Sequence, residues 1–267
     1  MRPESKVRKI FDTTTKIPIF QSSFESELEV KEKFRFDKIE DHAWQITADE
    51  KHFGRKGLRI TIDKGYKLAK NTERSEIQDP LKVSLDDEAW YRIDFKIPKD
   101  FPKIDNRLVI WQLKQAGDGN PLIAMEYENG KLKLKQRFDR TKINYYQSKE
   151  DFKDRWIRIV VHAKASHSES GFINVYLNNT QIIQYKGQTA HHSKWKQITY
   201  FKFGLYRDVI DVPMYMYYDE YRRGSSWNEV VPENKNAILV KNLWRLKVKK
   251  KVNWLELNRK NGVSDGI

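Results

Sequence analysis

Apolar and polar residues trade places at every second position through much of this chain, a period that marks strands rather than helices. FKFGLYR (201–207) sets Phe201, Phe203 and Leu205 on one side and Lys202, Gly204 and Tyr206 on the other. The same alternation runs through GLRITID (57–63), WYRIDFKI (90–97), RLVIWQLK (107–114), KLKLKQRF (131–138), WIRIVVHAK (156–164), FINVYLNN and MYMYYDEYR (214–222). Between strands, Asn129-Gly130 and Asn178-Asn179 supply residues that accept the positive φ of tight hairpin turns. Many short strands joined this way predict an all-β antiparallel sandwich or jelly roll. Helical signals are few: VKEKFRF (30–36) is ambiguous, and SKEDFKDRW (148–156) reads as one short amphipathic turn.

A chain of 267 residues is long enough for one large β domain, expected over 1–232. From about Pro232 the character changes to a mixture of apolar residues and a Lys-rich block, expected as a basic segment over 233–267 that extends or packs on that domain. Lys and Arg number 51 against 37 Asp and Glu, a formal charge of +14, so the surface attracts polyanions. The absence of cysteine excludes disulfides and thiol catalysis. No run reaches the roughly 20 apolar residues of a membrane span, and MRPESKVRKIF has no apolar signal-peptide core, which leaves a cytosolic protein or one whose leader was removed.

The sequence has no phosphate-cradling glycine loop, no HExxH motif and no GxSxG elbow. Its polar strand faces say more. In WQLK, Gln112 and Lys114 stand opposite Trp111 and Leu113; in TERSEIQ, Arg74, Glu76 and Gln78 stand opposite Ser75 and Ile77. With Lys202 and Tyr206 they offer amide, ammonium, guanidinium, carboxylate and phenol as the floor of a groove. Gly204 weakens its strand without packing gain, which marks close approach by a ligand or by another backbone. Tyr215, Tyr217 and Tyr221 share one parity and suit either sugar stacking or plain cross-strand packing. Among the histidines, His191-His192 reads as a solvent-facing loop pair, and His52, beside a glycine-containing loop, can reach a cleft. No Asp or Glu spacing defines a metal site, so none is assigned.

In order, RSE (74–76), WQLK (111–114), NPLIAMEYENGKLKL, DRWIRIVVHAK, GFINVYLNN, YFKFGLYR and MYYDEYRRG resemble the jelly-roll polysaccharide lyases of the glucuronan-lyase and heparin-lyase-I type, over roughly residues 50–232. The resemblance implies a concanavalin A-like β-jelly roll and β-elimination beside a uronic acid, leaving a 4,5-unsaturated uronate. It implies catalytic roles for Tyr206, Gln112, Lys114 and Arg74. Gln112 and Arg74 would neutralise the substrate carboxylate, Tyr206 would act as acid or as both base and acid, and Lys202 would lower the pKa of its phenol. Glu76 would hold Arg74, while Arg207, on the opposite parity, His52, Tyr215 and Tyr217 are further substrate-binding candidates. Where many relatives place a histidine two positions after the glutamine, this chain has Lys114, which leaves the base open between a lysine of depressed pKa, Tyr206 and a histidine such as His52.

The resemblance requires no cofactor, though a structural calcium, carried by some relatives, is allowed. It implies an acidic polysaccharide as partner, no nucleic acid, a monomer, and a periplasmic or extracellular site of action. A non-catalytic lectin-like sandwich that binds acidic glycans in the same groove is the alternative. A nucleic-acid-binding β domain fits less well, because the basic residues follow no RNP-like or OB-like pattern.

Overall fold

The computed structural model describes residues 16–37, 39–63, 67–69, 71–117, 119–138, 141–191 and 194–232. The chain separates into two units, Met1–Val230 and Val231–Ile267. Nearly all of the second, with the expected basic segment over 233–267, lies outside the described residues.

The first unit runs β1 (Phe20–Ser22), α1 (Glu27–Lys33), β2 (Arg35–Asp37), a 3-10 turn (Asp41–Ala43), β3 (Trp44–Thr47), β4 (Gly57–Ile62), β5 (Lys67–Ala69), β6 (Thr72–Gln78) and β7 (Val83–Ser84). It continues with β8 (Glu88–Lys96), β9 (Leu108–Gln115), β10 (Ile123–Glu128), β11 (Lys131–Phe138), β12 (Thr141–Gln147) and β13 (Trp156–Lys164). It ends with β14 (Phe172–Leu177), β15 (Thr180–Lys186), β16 (Ile198–Asp208), β17 (Met214–Gly224) and α2 (Trp227–Val230).

The strands form two antiparallel sheets. One has the order β15-β14-β13-β8-β17-β4-β3 with β1 on β17; the other has β12-β11-β10-β9-β16-β6-β2 with β5 on β6 and β7 on β16. The all-β sandwich expected from the alternation is what forms. Both hairpin turns adopt the expected backbone, with φ of 53° and 77° at Asn129-Gly130 and 47° and 70° at Asn178-Asn179. VKEKFRF splits instead of forming one element. Its first half completes α1, where Ser26 caps the Glu29 N–H and Lys33 pairs with Glu29, and its second half is β2. SKEDFKDRW forms no helix: it is a loop pinned by buried Phe152 and a bridge from Lys153 to Ile97.

The inward residues of both sheets make one core. Tyr91 stacks on Phe201 at 5.0 Å between ring centroids, Trp111 on Phe201 at 5.6 Å and Phe203 on Tyr221 at 5.3 Å. Two irregularities decide what faces out. Along β16, Gly204 and Leu205 together oppose Ile110 of β9, shifting the register between Phe203 and Tyr206. Gly204 has φ +131°, and a Cβ there would lie 2.3 Å from the Ser75 carbonyl oxygen and 2.8 Å from Glu76 Cα. The close approach signalled by this glycine is therefore the β6 backbone, and the space beside it is not open to a sugar. Tyr218, reaching through the core from the other sheet, sets its phenol 2.9 Å from the Gly204 carbonyl oxygen and 3.2 Å from that of Ile110, within donating distance of both.

The second irregularity lies in β17, where Glu220 (φ 50°) and Tyr221 oppose Ile93. It turns Tyr221 into the core, where its hydroxyl donates to Asp79, so the shared parity expected for Tyr215, Tyr217 and Tyr221 breaks at the bulge.

Gly204→Ala is expected to destabilise the fold by roughly 2 kcal/mol or more, and Tyr218→Phe by about 1–3 kcal/mol through the carbonyls it orphans. Urea unfolding measures both, and a wild-type midpoint for Gly204→Ala would refute the backbone contact.

Candidate active site

Alternation carries Arg74, Glu76 and Gln78 of β6, Gln112 and Lys114 of β9, and Lys202 and Tyr206 of β16 to the outward face of one sheet. The pairing places Lys202 beside Gln112 and Gln78, Gly204 beside Glu76, and Tyr206 beside Arg74. All four residues expected to be catalytic are therefore brought together, with Lys202 and Glu76.

Glu76 is the hub. Its side chain has no exposure to solvent, so its charge must be met locally. Gln112 Nε2 donates to Oε1 at 2.5 Å, Arg74 Nε lies 3.1 Å from Oε2, and Lys202 Nζ lies 4.0 Å from the same oxygen. Glu76 thus holds Arg74, as expected, and orients the Gln112 amide as well. Burial, followed by the charges of Lys202 and Arg74, pushes the Lys114 ammonium below its ordinary pKa.

Tyr206 sits between two guanidinium groups, with Arg74 Cζ 4.3 Å and Arg107 Cζ 4.7 Å from its ring centroid. Burial alone would push its phenol up. The charge of Arg107, a hydrogen bond from it and the charge of Arg74 outweigh burial and hold the phenol below 10.0. Lys202, expected to do this, instead serves Glu76 and depresses Lys114. Arg107 is fixed in turn by Asp208 at 2.8 Å. Counting by twos from Gln112 hides Arg107, but the irregular pairing of β9 with β10, where Met125 faces Trp111 and Glu126 faces Val109, leaves Ile110 as an extra core residue. Val109 and Arg107 then point outward with Gln112.

Toward β10 and β11 the same face carries an ion-pair ladder. Lys135 meets Glu126, and also Glu128 at 3.3 Å, while Lys133 meets Glu128 at 3.0 Å.

Four expected substrate contacts are not here. Arg207 is fully buried on the core side, donating to Glu73 at 2.6 Å and to the carbonyls of Val212 and Ile210, because its parity is opposite to that of Tyr206. His52, Tyr215 and Tyr217 belong to the outward side of the other sheet, and the outward faces of a sandwich point away from each other. There the His52 ring bonds Asp94 at 2.7 Å and stacks on Trp156, while Arg59 lies 3.9 Å from the Tyr215 ring centroid and Tyr217 pairs with Lys96. His52 is therefore no candidate base for this groove. His191 is buried rather than solvent-facing: its N–H donates to Gln115 Oε1 and its Nε2 to the Asn120 carbonyl. Its neighbour at 192 lies outside the described residues. Among the described residues no group of three or more His, Asp or Glu side chains could hold a metal ion.

A family model described as Polysaccharide lyase matches residues 23–222, and the chain belongs to that family. It is an enzyme, and the non-catalytic lectin reading is set aside. Among solved structures, the endo-β-1,4-glucuronan lyase from the fungus Trichoderma reesei superposes with a TM-score of 0.57 at 15% identity, covering 73% of this chain and 92% of its own. A family 7 alginate lyase in complex with product gives 0.52 at 11% identity, covering 68% and 83%. The cellulose induced protein Cip1 gives 0.54 at 11% identity, covering 78% and 97%. At such identities these likenesses speak for the fold. No curated protein matches the chain.

Glu76→Gln is expected to cost on the order of 3 kcal/mol, because it leaves the cations around it without their buried counter-charge. An unfolding midpoint equal to that of the wild type would show that another group holds the cluster together.

Proposed function

We propose that this polysaccharide lyase cleaves a uronic-acid polysaccharide by β-elimination, with Tyr206 as both base and acid. The observation that carries the reading is the phenol held between Arg74 and Arg107, on the same sheet face as Gln112, Lys114 and Lys202. The formal charge of +14 supports a polyanionic substrate, and with a glucuronan lyase among the structural relatives, polyglucuronate is the first polymer to test.

Elimination begins with a weakly acidic C5 proton. A uronate carboxylate bound by Arg74, Gln112 and Lys114 has its charge neutralised and accepts the negative charge that develops as the proton leaves. The Tyr206 phenolate, favoured by its two guanidinium neighbours, takes the C5 proton. The C5–H electron pair forms the C4=C5 double bond, the C4–O4 bond breaks, and the same phenol returns the proton to O4. This requires the C5 proton and O4 to leave from one face of the ring, the face turned to Tyr206. Lys114, at the position where many relatives carry histidine, acts as a carboxylate cation in this scheme and not as the base. The scheme draws on protein cations and calls on no metal. A monomer acting outside the cytoplasm, where acidic polysaccharides occur, is the setting we propose; no helix among the described residues is long and apolar enough to cross a membrane.

Formation of the unsaturated uronate is read from its ultraviolet absorbance. With polyglucuronate, Tyr206→Phe should lower turnover at least about 100-fold while leaving binding nearly intact. Turnover within a fewfold of the wild type removes Tyr206 from the mechanism. Because the deprotonated phenol is the base and its pKa lies below 10.0, activity should rise with pH through an ionisation below that value. Arg107→Gln should move that rise to higher pH; an unmoved profile would assign the ionisation to another group.

A further inference from the structure

Beyond Lys202, the outward row of β16 continues to Tyr200, which pairs with Lys114 of β9. At this end a cavity of about 480 Å³ opens, lined by Gln78, Lys82, Lys194, Trp195, Lys196 and Tyr200. Gln78 also pairs with Lys202, so the cavity and the groove share a wall. Tyr200 and Tyr206 stand six residue steps apart along the strand, roughly 20 Å.

The cavity is built rather than incidental. Tyr200 has an ammonium near its ring from two directions, Lys202 Nζ at 5.4 Å and Lys82 Nζ at 5.8 Å from the centroid. Trp195 packs against the loop that follows β9: a Cβ at Gly119 would fall 1.6 Å from its ring, and one at Gly117 2.8 Å. The His191 ring stands tilted against it at 4.9 Å between centroids. Buried Gln115 ties the loop that carries Trp195 to the sheet, accepting from the His191 N–H at 2.7 Å and donating to the Lys196 carbonyl at 3.3 Å. Two aromatic rings held in place with lysines around them match the two faces of a uronate, an apolar ring surface and a carboxylate.

Building on the uronate-lyase reading, we propose that this cavity is a distal sugar-binding position, which takes a uronate several residues along the chain from the bond being cut. The enzyme then favours substrates long enough to reach from Tyr206 to the cavity.

The test uses β-1,4-linked oligoglucuronates from disaccharide to octasaccharide. In the wild type, kcat/KM should climb with length until the oligomer spans the distance to the cavity. Trp195→Ala and, separately, the double substitution Lys82→Ala/Lys196→Ala of exposed side chains should lower kcat/KM on the octasaccharide about tenfold through KM, and much less on the trisaccharide. Equal losses at every length, or none in the double variant, would overturn the distal position while leaving the lyase reading intact. If no polymer yields unsaturated product, the lyase reading fails, and calorimetric titration with the same octasaccharide decides the cavity alone. Binding weakened about tenfold in the double variant supports it; equal binding, or no binding by the wild type, overturns it.

Discussion

A carboxylate shut away from water cannot stand alone, and Glu76 has no solvent exposure at all. Its neutralisation fixes where Arg74, Gln112 and Lys202 lie, since each approaches one of its two oxygens. Arg74, so anchored, forms one wall around Tyr206, and Lys202 stays close enough to Lys114 to weaken its hold on a proton. One buried negative charge thus arranges three positive or donating groups that would otherwise repel or wander. In the proposed reaction the same set meets a second carboxylate, that of the uronate. An apolar residue at this position would be easier to bury, but it would leave nothing to hold the amide and the guanidinium in register.

The fold was largely legible because strand alternation and Asn-Gly or Asn-Asn turns are local signals, and the predicted strands appear with ends within three residues. What local periodicity cannot show is which sheet a strand joins. Tyr215 and Tyr217 alternate as convincingly as Lys202 and Tyr206, yet β17 and β16 lie in different layers, so the tyrosines look away from the groove. His52, on the loop between β3 and β4, goes with that other layer.

Bulges account for two further differences. A parity count holds only while each residue faces one partner. The extra residue at Ile110 concealed Arg107, and the one at Glu220 sent Tyr221 into the core. Gly204 did announce itself as a weak point in a strand, but whether a ligand or a neighbouring backbone occupied the space was a question of three dimensions. The aromatic loop around Trp195 escaped notice because it follows no repeating period; its order comes from Gln115, a buried amide on the apolar parity of Trp111 and Leu113. Arg207 shows the converse. Its charge suggested a surface role, while its parity, correctly read, placed it among buried partners.

The reach of Tyr218 across the core has a mechanical consequence. Its phenol spans the gap between the carbonyls of Gly204 and Ile110, which belong to adjacent strands of the opposite sheet. Sliding the two layers past one another by a single residue would strip that donor from both. The sandwich is therefore locked against shear directly beneath the strand that carries Tyr206. A lyase that must hold a polysaccharide while one of its bonds is broken gains from a floor that does not yield when the chain pulls.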